Sequence, residues 1–275
     1  MNGNVITVLS TKGGVGKSTL ARFIAIVANE QGKRVCIIDT CQNSSIATGF
    51  LKDRDSFQHS AYDWLIGEAK PSEVIQQYEN TNIYYIPSDE RIDDYEDWVS
   101  RKVTKPKQLE VLKTKIEPLK QIFDLIIVDT HPSENSDIVN YSIAASDYCV
   151  IPVEIDLDAK LAAKRCIEII EDYQSAGYKI DYGLVWNKVE VTKGKAKIQL
   201  KNMKDELVKY GIMESKFVGE IRYSTTVSTS KNEGIMLNAI DNKYTMNVMN
   251  DIRKVSNTIF DKIVEGVHNE QAVTY

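Results

Sequence analysis

The sequence predicts an α/β fold, a mostly parallel twisted sheet flanked by helices on both faces. Short, nearly continuous apolar runs rich in Val, Ile, Leu and Tyr recur along the chain, as strands covered on both faces do. Longer stretches with three- and four-residue apolar spacing separate them. Strands alternating with helices imply βαβ crossovers, and these in turn imply parallel pairing.

Taken in order, Val5–Leu9 reads as the first strand and Lys17–Glu30 as the first helix, joined by the glycine-rich STKGGVGKST at residues 10–19. Arg34–Ile38, Ile83–Ile86, Leu125–Val128, Tyr148–Val153, Tyr182–Trp186 and Phe217–Ile221 read as the later strands. Helices are expected at Ser72–Gln77, Gln108–Gln121, Ser136–Ala145, Ala159–Ser175 and Ile198–Tyr210. Asp89–Lys107 is charged and poorly periodic, so a surface loop with one short helix is expected there. In the last helix, Val248–Val267, the residues Ile252, Val255, Ile259, Ile263 and Val267 recur at helical spacing and form a face to dock on the sheet. No repeat, low-complexity tract or Pro/Gly linker interrupts the chain, so residues 1–275 are expected to form a single domain. With the first strand at the start, no N-terminal helix-turn-helix domain is expected, and with it no sequence-specific operator binding by this chain alone.

Hydrophobic residues at 43% and charged residues at 27% give an ordinary globular balance. A net charge of −5 excludes a uniformly basic nucleic-acid binder but leaves room for a local basic face. The four cysteines, Cys36, Cys41, Cys149 and Cys166, form no CxxC pair, which argues against a zinc site. Cys36 and Cys149 sit in strand-like runs and read as small buried hydrophobes. The apolar start is too short for a signal peptide, and no stretch approaches the roughly 18 apolar residues of a membrane span. A cytoplasmic protein with reduced thiols is therefore expected. In the last helix Asp251, Asp261 and Glu265 balance Arg253, Lys254 and Lys262, unlike a membrane-surface helix.

Chemistry concentrates in the first loop. Gly13, Gly14 and Gly16 let backbone N–H groups converge at a helix N-terminus, where phosphate binds. Lys17 is placed to reach the β- and γ-phosphates, and the Ser18 hydroxyl to ligate Mg²⁺. Thr11 occupies the first glycine position of the strict phosphate-loop pattern, and Lys12 is a second lysine that the ordinary pattern does not require.

The run Lys12-Gly13-Gly14-Val15-Gly16-Lys17-Ser18-Thr19 resembles the deviant Walker A box of the ParA/MinD ATPases, within the P-loop NTPase fold. The resemblance implies that Lys12 crosses the interface of an ATP-sandwiched homodimer to touch the partner's phosphates. It also makes ATP the dimer switch, since ATP binds the dimer better than the monomer. FDLIIVDTHPS, residues 123–133, resembles the family's Walker B strand, with Asp129 as a Mg²⁺ residue; His131 beside it reads as structural. VIPVEID (150–156) and GLVWNKV (183–189) match later strand ends, and Asn187 resembles the family's adenine-contacting asparagine. EIRYSTTVSTSKNEGI (220–235) resembles the ParA segment running from the last strand into the next helix, and the likeness favours ParA over MinD. Lys12, Lys17 and Asp39 then form the catalytic set, with ATP and Mg²⁺ as cofactors.

One departure stands out. The family's second strand reads roughly hhhDxDPQ, and this chain has CIIDTCQNSS at residues 36–45. Asp39 matches the first acid; Cys41 falls where the water-orienting second acid stands. Either that acid is lost or a one-residue shift brings Gln42 or Asn43 to the water. A thiol cannot hold the water as a carboxylate does, so slow or partner-stimulated hydrolysis is expected.

From Lys188 to Lys231 ten basic residues face five acidic ones. Lys193, Lys195, Lys197, Lys201, Lys204, Arg222 and Lys231 are the candidate contacts for nonspecific DNA, which would read phosphates and be salt-sensitive. The resemblance implies a nucleoid-associated partition ATPase with a small centromere-binding adaptor and no membrane partner. It leaves open a relative that assists conjugative DNA processing or positions another cargo. A DNA-binding scaffold that barely hydrolyses ATP is also compatible with the residues.

Overall fold

The computed structural model describes residues 3–50, 57–133, 136–190 and 194–273. The strands are β1 (Asn4–Val8), β2 (Val35–Asp39), β3 (Gln76–Gln77), β4 (Ile83–Ile86), β5 (Leu125–Asp129), β6 (Tyr148–Val153), β7 (Asp181–Val189) and β8 (Phe217–Arg222). They form one sheet in the order β3-β4-β2-β5-β1-β6-β7-β8. All pairings are parallel except β3 with β4. The expected α/β class and every expected strand are present.

The helices are α1 (Lys17–Glu30), α2 (Ser45–Phe50), α3 (Ala61–Ile66), α4 (Pro71–Val74), α5 (Asp94–Lys102), α6 (Val111–Ile116), α7 (Asp137–Ala144), α8 (Leu157–Ser175), α9 (Gly194–Lys209), α10 (Thr225–Glu233) and α11 (Lys243–Val273). Alternate strand residues feed opposite faces, as a period of two requires. Ile6, Val8, Ile37 and Ile127 pack with Leu20 and Ile24 of α1 and with Ile252, Val255 and Ile259 of α11. Val5, Ile38, Ile126 and Val128 pack with Trp64, Tyr95, Val99 and Leu112 on the other face. Farther along that face, Cys149, Ile151 and Leu184 meet Ala163, Cys166 and Ile167 of α8. The apolar runs were continuous because both faces are covered. All four cysteines are buried and outside any disulfide, Cys36 and Cys149 within strands as expected. Among the described residues, no helix is long and apolar enough to cross a membrane.

Four expectations need correction. The helix expected over Ser72–Gln77 ends at Val74, and Gln76 and Gln77 pair antiparallel with Tyr85 and Tyr84 at the sheet edge. The helix expected over Gln108–Gln121 is α6 between two 3-10 turns, and Pro118 starts the second of them. The charged segment Asp89–Lys107 is more than a surface loop, since α5 buries Tyr95 and Val99 against the sheet. The long last helix runs beyond its expected start, from Lys243; the side chain of Val267 lies outside the described residues.

Candidate nucleotide and metal site

The site lies where the parallel strands end. β1 runs between β5 and β6, and its C-terminal end opens into the glycine loop. Gly14 and Gly16 have φ of 79° and 95°, conformations that other residues adopt only with strain. α1 starts at Lys17 with neither a side-chain cap nor an acidic residue in its first turn. Its first backbone N–H groups are therefore left for an anion. A Cβ on Gly16 would lie 2.5 Å from Asn187 Nδ2. Gly16→Ala is expected to cost about 1–3 kcal/mol of local strain and to weaken nucleotide binding, checked by thermal melting with and without ATP.

Two side chains of β7 brace the loop from outside. Asn187 Nδ2 donates to the Val15 carbonyl at 2.7 Å, and Lys188 Nζ donates to the Gly14 carbonyl at 2.5 Å. Lys188 also pairs with Glu154 at 2.6 Å, and its backbone is left-handed at φ 56°. The brace engages the loop carbonyls from the β7 side. In the sequence Lys188 is one basic residue among ten, because its loop partner is 174 positions away. Asn187, expected at the base, spends its amide on the loop and also lines a 130 Å³ pocket with Gly16, Thr19, Phe23 and Tyr223.

A 490 Å³ cavity sits over the loop, lined by Lys17, Ser18, Thr19, Cys41, His131 and Lys231 among others. Lys17 is 7% exposed, and burial lowers its ammonium pKa against the opposing pull of Asp129. Asp39 and Asp129 are register partners at the ends of β2 and β5. Burial raises both carboxyl groups, and for Asp39 the facing Asp129 adds to it. Asp39 accepts from the Cys41 and Ile46 backbone N–H groups, both at 2.9 Å, so it shapes the 41–46 loop.

Asp129 is fully buried, and its Oδ1 has no hydrogen-bond partner among the described residues. Lys17 and the Ser18 hydroxyl pull its pKa back down. A buried, unpartnered carboxylate oxygen beside a hydroxyl fits a hard cation such as Mg²⁺. The loop brings Cys41 beside Asp129, its Sγ 3.9 Å from Oδ2, while Gln42 and Asn43 are exposed at the cavity wall.

Lys12 turns away from this cavity. Its Nζ meets both oxygens of Asp156 at 2.7 Å, and Asp156 also accepts from the Ala159 N–H at the start of α8. The Asp156 hydrogen bond holds the Lys12 ammonium above its ordinary pKa. Lys12 lines a separate 500 Å³ groove with Thr11, Asp158, Leu161 and Arg165. Leu157 and Leu161 stand 65% and 54% exposed on that side of α8.

The family model described as an AAA domain matches residues 3–181, well over half of the chain. The chain belongs to this family, as a ParA/MinD-type ATPase. It is 29% identical to the sporulation initiation inhibitor Soj of Bacillus subtilis over 56% of this chain and 59% of Soj. It is 24% identical to the maintenance of carboxysome distribution protein A of Gloeothece citriformis, over 62% of this chain and 65% of that protein. The matched segments thus span less than two thirds of these relatives. Among solved structures, the Cyanothece McdA–ATP complex superposes with a TM-score of 0.78 at 20% identity, covering 97% of both chains. The Borrelia burgdorferi putative plasmid partition protein bound to AMPPNP gives 0.74 at 20% identity, over 94% of this chain and 99% of that one.

In this ParA/MinD-type ATPase the candidate DNA residues Lys197, Lys201 and Lys204 share one face of α9 by their spacing. Lys197 and Lys201 are exposed on α9. Lys204 pairs with Glu214 at 3.3 Å, and Arg222 is held by Asp251 through Nε and Nη2 at 2.5 and 2.9 Å. Lys231 lies on the rim shared by the two nucleotide-side pockets. Lys193 and the side chain of Lys195 lie outside the described residues.

Proposed function

We propose that this chain is a single-domain, ATP-operated association switch of the ParA type. ATP sits in the 490 Å³ cavity against Gly13, Gly14, Val15, Gly16 and Thr19, with Lys17 on its phosphates and its base toward Asn187. Ser18 and Asp129 hold Mg²⁺, which neutralises phosphate charge when bound. Two ATP-bound copies meet as a homodimer, and Lys12 of each serves the partner's phosphates. The dimer binds nonspecific DNA through exposed lysines, Lys197 and Lys201 first, and an adaptor protein triggers release. The working compartment is the cytoplasm, on the nucleoid.

The observation that carries this reading is the division of labour between the two lysines. Lys17 lines its own cavity, whereas Lys12 faces out of it, bound to Asp156 beside an exposed leucine face. A charge so placed contributes little to its own nucleotide, and exchanging its partly exposed Asp156 ion pair for a neighbour's phosphates lets it act across the interface. Hydrolysis is slow because a cysteine at position 41 does not orient the attacking water as a carboxylate does. Light scattering with no nucleotide, ADP, ATP and a non-hydrolysable ATP analogue tests the switch. A dimer confined to the ATP and analogue samples supports it; one mass throughout refutes it. The match to a carboxysome distribution protein supports a second reading, in which the cargo carried along DNA is a protein body.

A further inference from the structure

We propose that Asp39, Cys41 and Asp129 form a binding site for a thiophilic divalent cation, zinc above all, that fills without nucleotide. One ligand atom from each residue lies within 4.8 Å of the others, and all three residues are buried. No sequence pattern announces it, since no CxxC pair exists. The fold assembles the set from the register-paired ends of β2 and β5 and the residue two beyond Asp39.

Two further observations point to a cation. Asp129 Oδ1 is buried without a hydrogen-bond partner, which an isolated carboxylate pair does not explain. The geometry is close as well. Zinc bonds of about 2.0–2.3 Å put tetrahedral ligand atoms about 3.5 Å apart. Cys41 Sγ and Asp129 Oδ2 are already 3.9 Å apart. The remaining closure, on the order of 1 Å, falls to the 41–46 loop, whose Gln42 and Asn43 are exposed.

The chemistry of the set decides which metal. An all-oxygen site takes Mg²⁺ or Mn²⁺; replacing one oxygen by thiolate sulfur shifts preference to zinc. Three protein ligands leave a fourth position toward the cavity that Cys41 lines, and this is also the entry path. The Cys41 and Ile46 backbone N–H bonds orient the Asp39 carboxylate and leave it lone pairs for the metal. Because Asp129 is also the proposed Mg²⁺ residue, zinc held here would compete with Mg²⁺·ATP loading. The site itself requires no ATPase activity, so its test stands apart from that of the switch.

The test uses the reduced, nucleotide-free full chain titrated with Co²⁺. A thiolate-to-cobalt charge-transfer band should grow and saturate at one metal per chain. Zinc should bleach it and excess Mg²⁺ should not. Cys36, Cys149 and Cys166 are fully buried in the core, so the band belongs to Cys41. Cys41→Ser should abolish it and weaken zinc by more than the roughly 10–100-fold that loss of a mere outer partner costs. Cys41→Asp should bind without the band and prefer Mn²⁺ to zinc. Circular dichroism confirms that both variants fold. No band in the unaltered protein, or an undiminished band in folded Cys41→Ser, overturns the proposal. If the variants fail to fold, the presence or absence of the one-to-one band in the unaltered protein still decides.

Discussion

Lys17→Ala is expected to weaken ATP binding by roughly 10–100-fold while leaving the chain folded. The ammonium is nearly buried in the cavity and desolvated before any ligand arrives, so a phosphate meets it with little competing water. A hydrogen bond to a charged group is worth about 1.5–3 kcal/mol, and each 1.4 kcal/mol is tenfold in affinity. The effect belongs to the nucleotide-binding step, so calorimetry with Mg²⁺·ATP reads it directly. Unchanged affinity would remove Lys17 from the phosphates and the cavity from the role assigned to it.

Lys12→Ala is expected to do the opposite, keeping ATP affinity and abolishing ATP-dependent dimerisation. The ion pair it loses is partly exposed, with side chains 27% and 38% accessible, so the stability cost is below about 1 kcal/mol. What disappears is the charge offered across the interface. Loss of a desolvated contact of that kind raises the dimer dissociation constant by at least about tenfold. Sedimentation of the variant with the non-hydrolysable analogue should show monomer at concentrations where the unaltered chain is dimer. Normal dimerisation would return Lys12 to the role of a partner for Asp156 in its own chain.

What the sequence revealed follows the range of the forces involved. The central strands were legible because burial on both faces makes them continuous in Val, Ile and Leu, a local signal. β3 was not, because its two glutamines pair only along an edge. The phosphate loop was legible because its glycines, Lys17 and Ser18 act through backbone geometry within eight residues. The contacts that set the states of Lys12, Lys188 and Arg222 span 144, 174 and 29 positions, and no local pattern announces them. Arg222 shows the consequence, since it counts as a cation in composition but is already neutralised by Asp251 in the fold. The Cys41 departure was visible as a substitution. Its place against Asp129, with Gln42 and Asn43 on the cavity wall, required the fold.

The most direct test of the nucleotide-gated switch is a DNA gel shift at one fixed salt concentration, with no nucleotide, ADP, ATP and the non-hydrolysable analogue. Retardation is expected only with ATP or the analogue, weakening steeply as salt is raised. Retardation in every state, or in none, contradicts it.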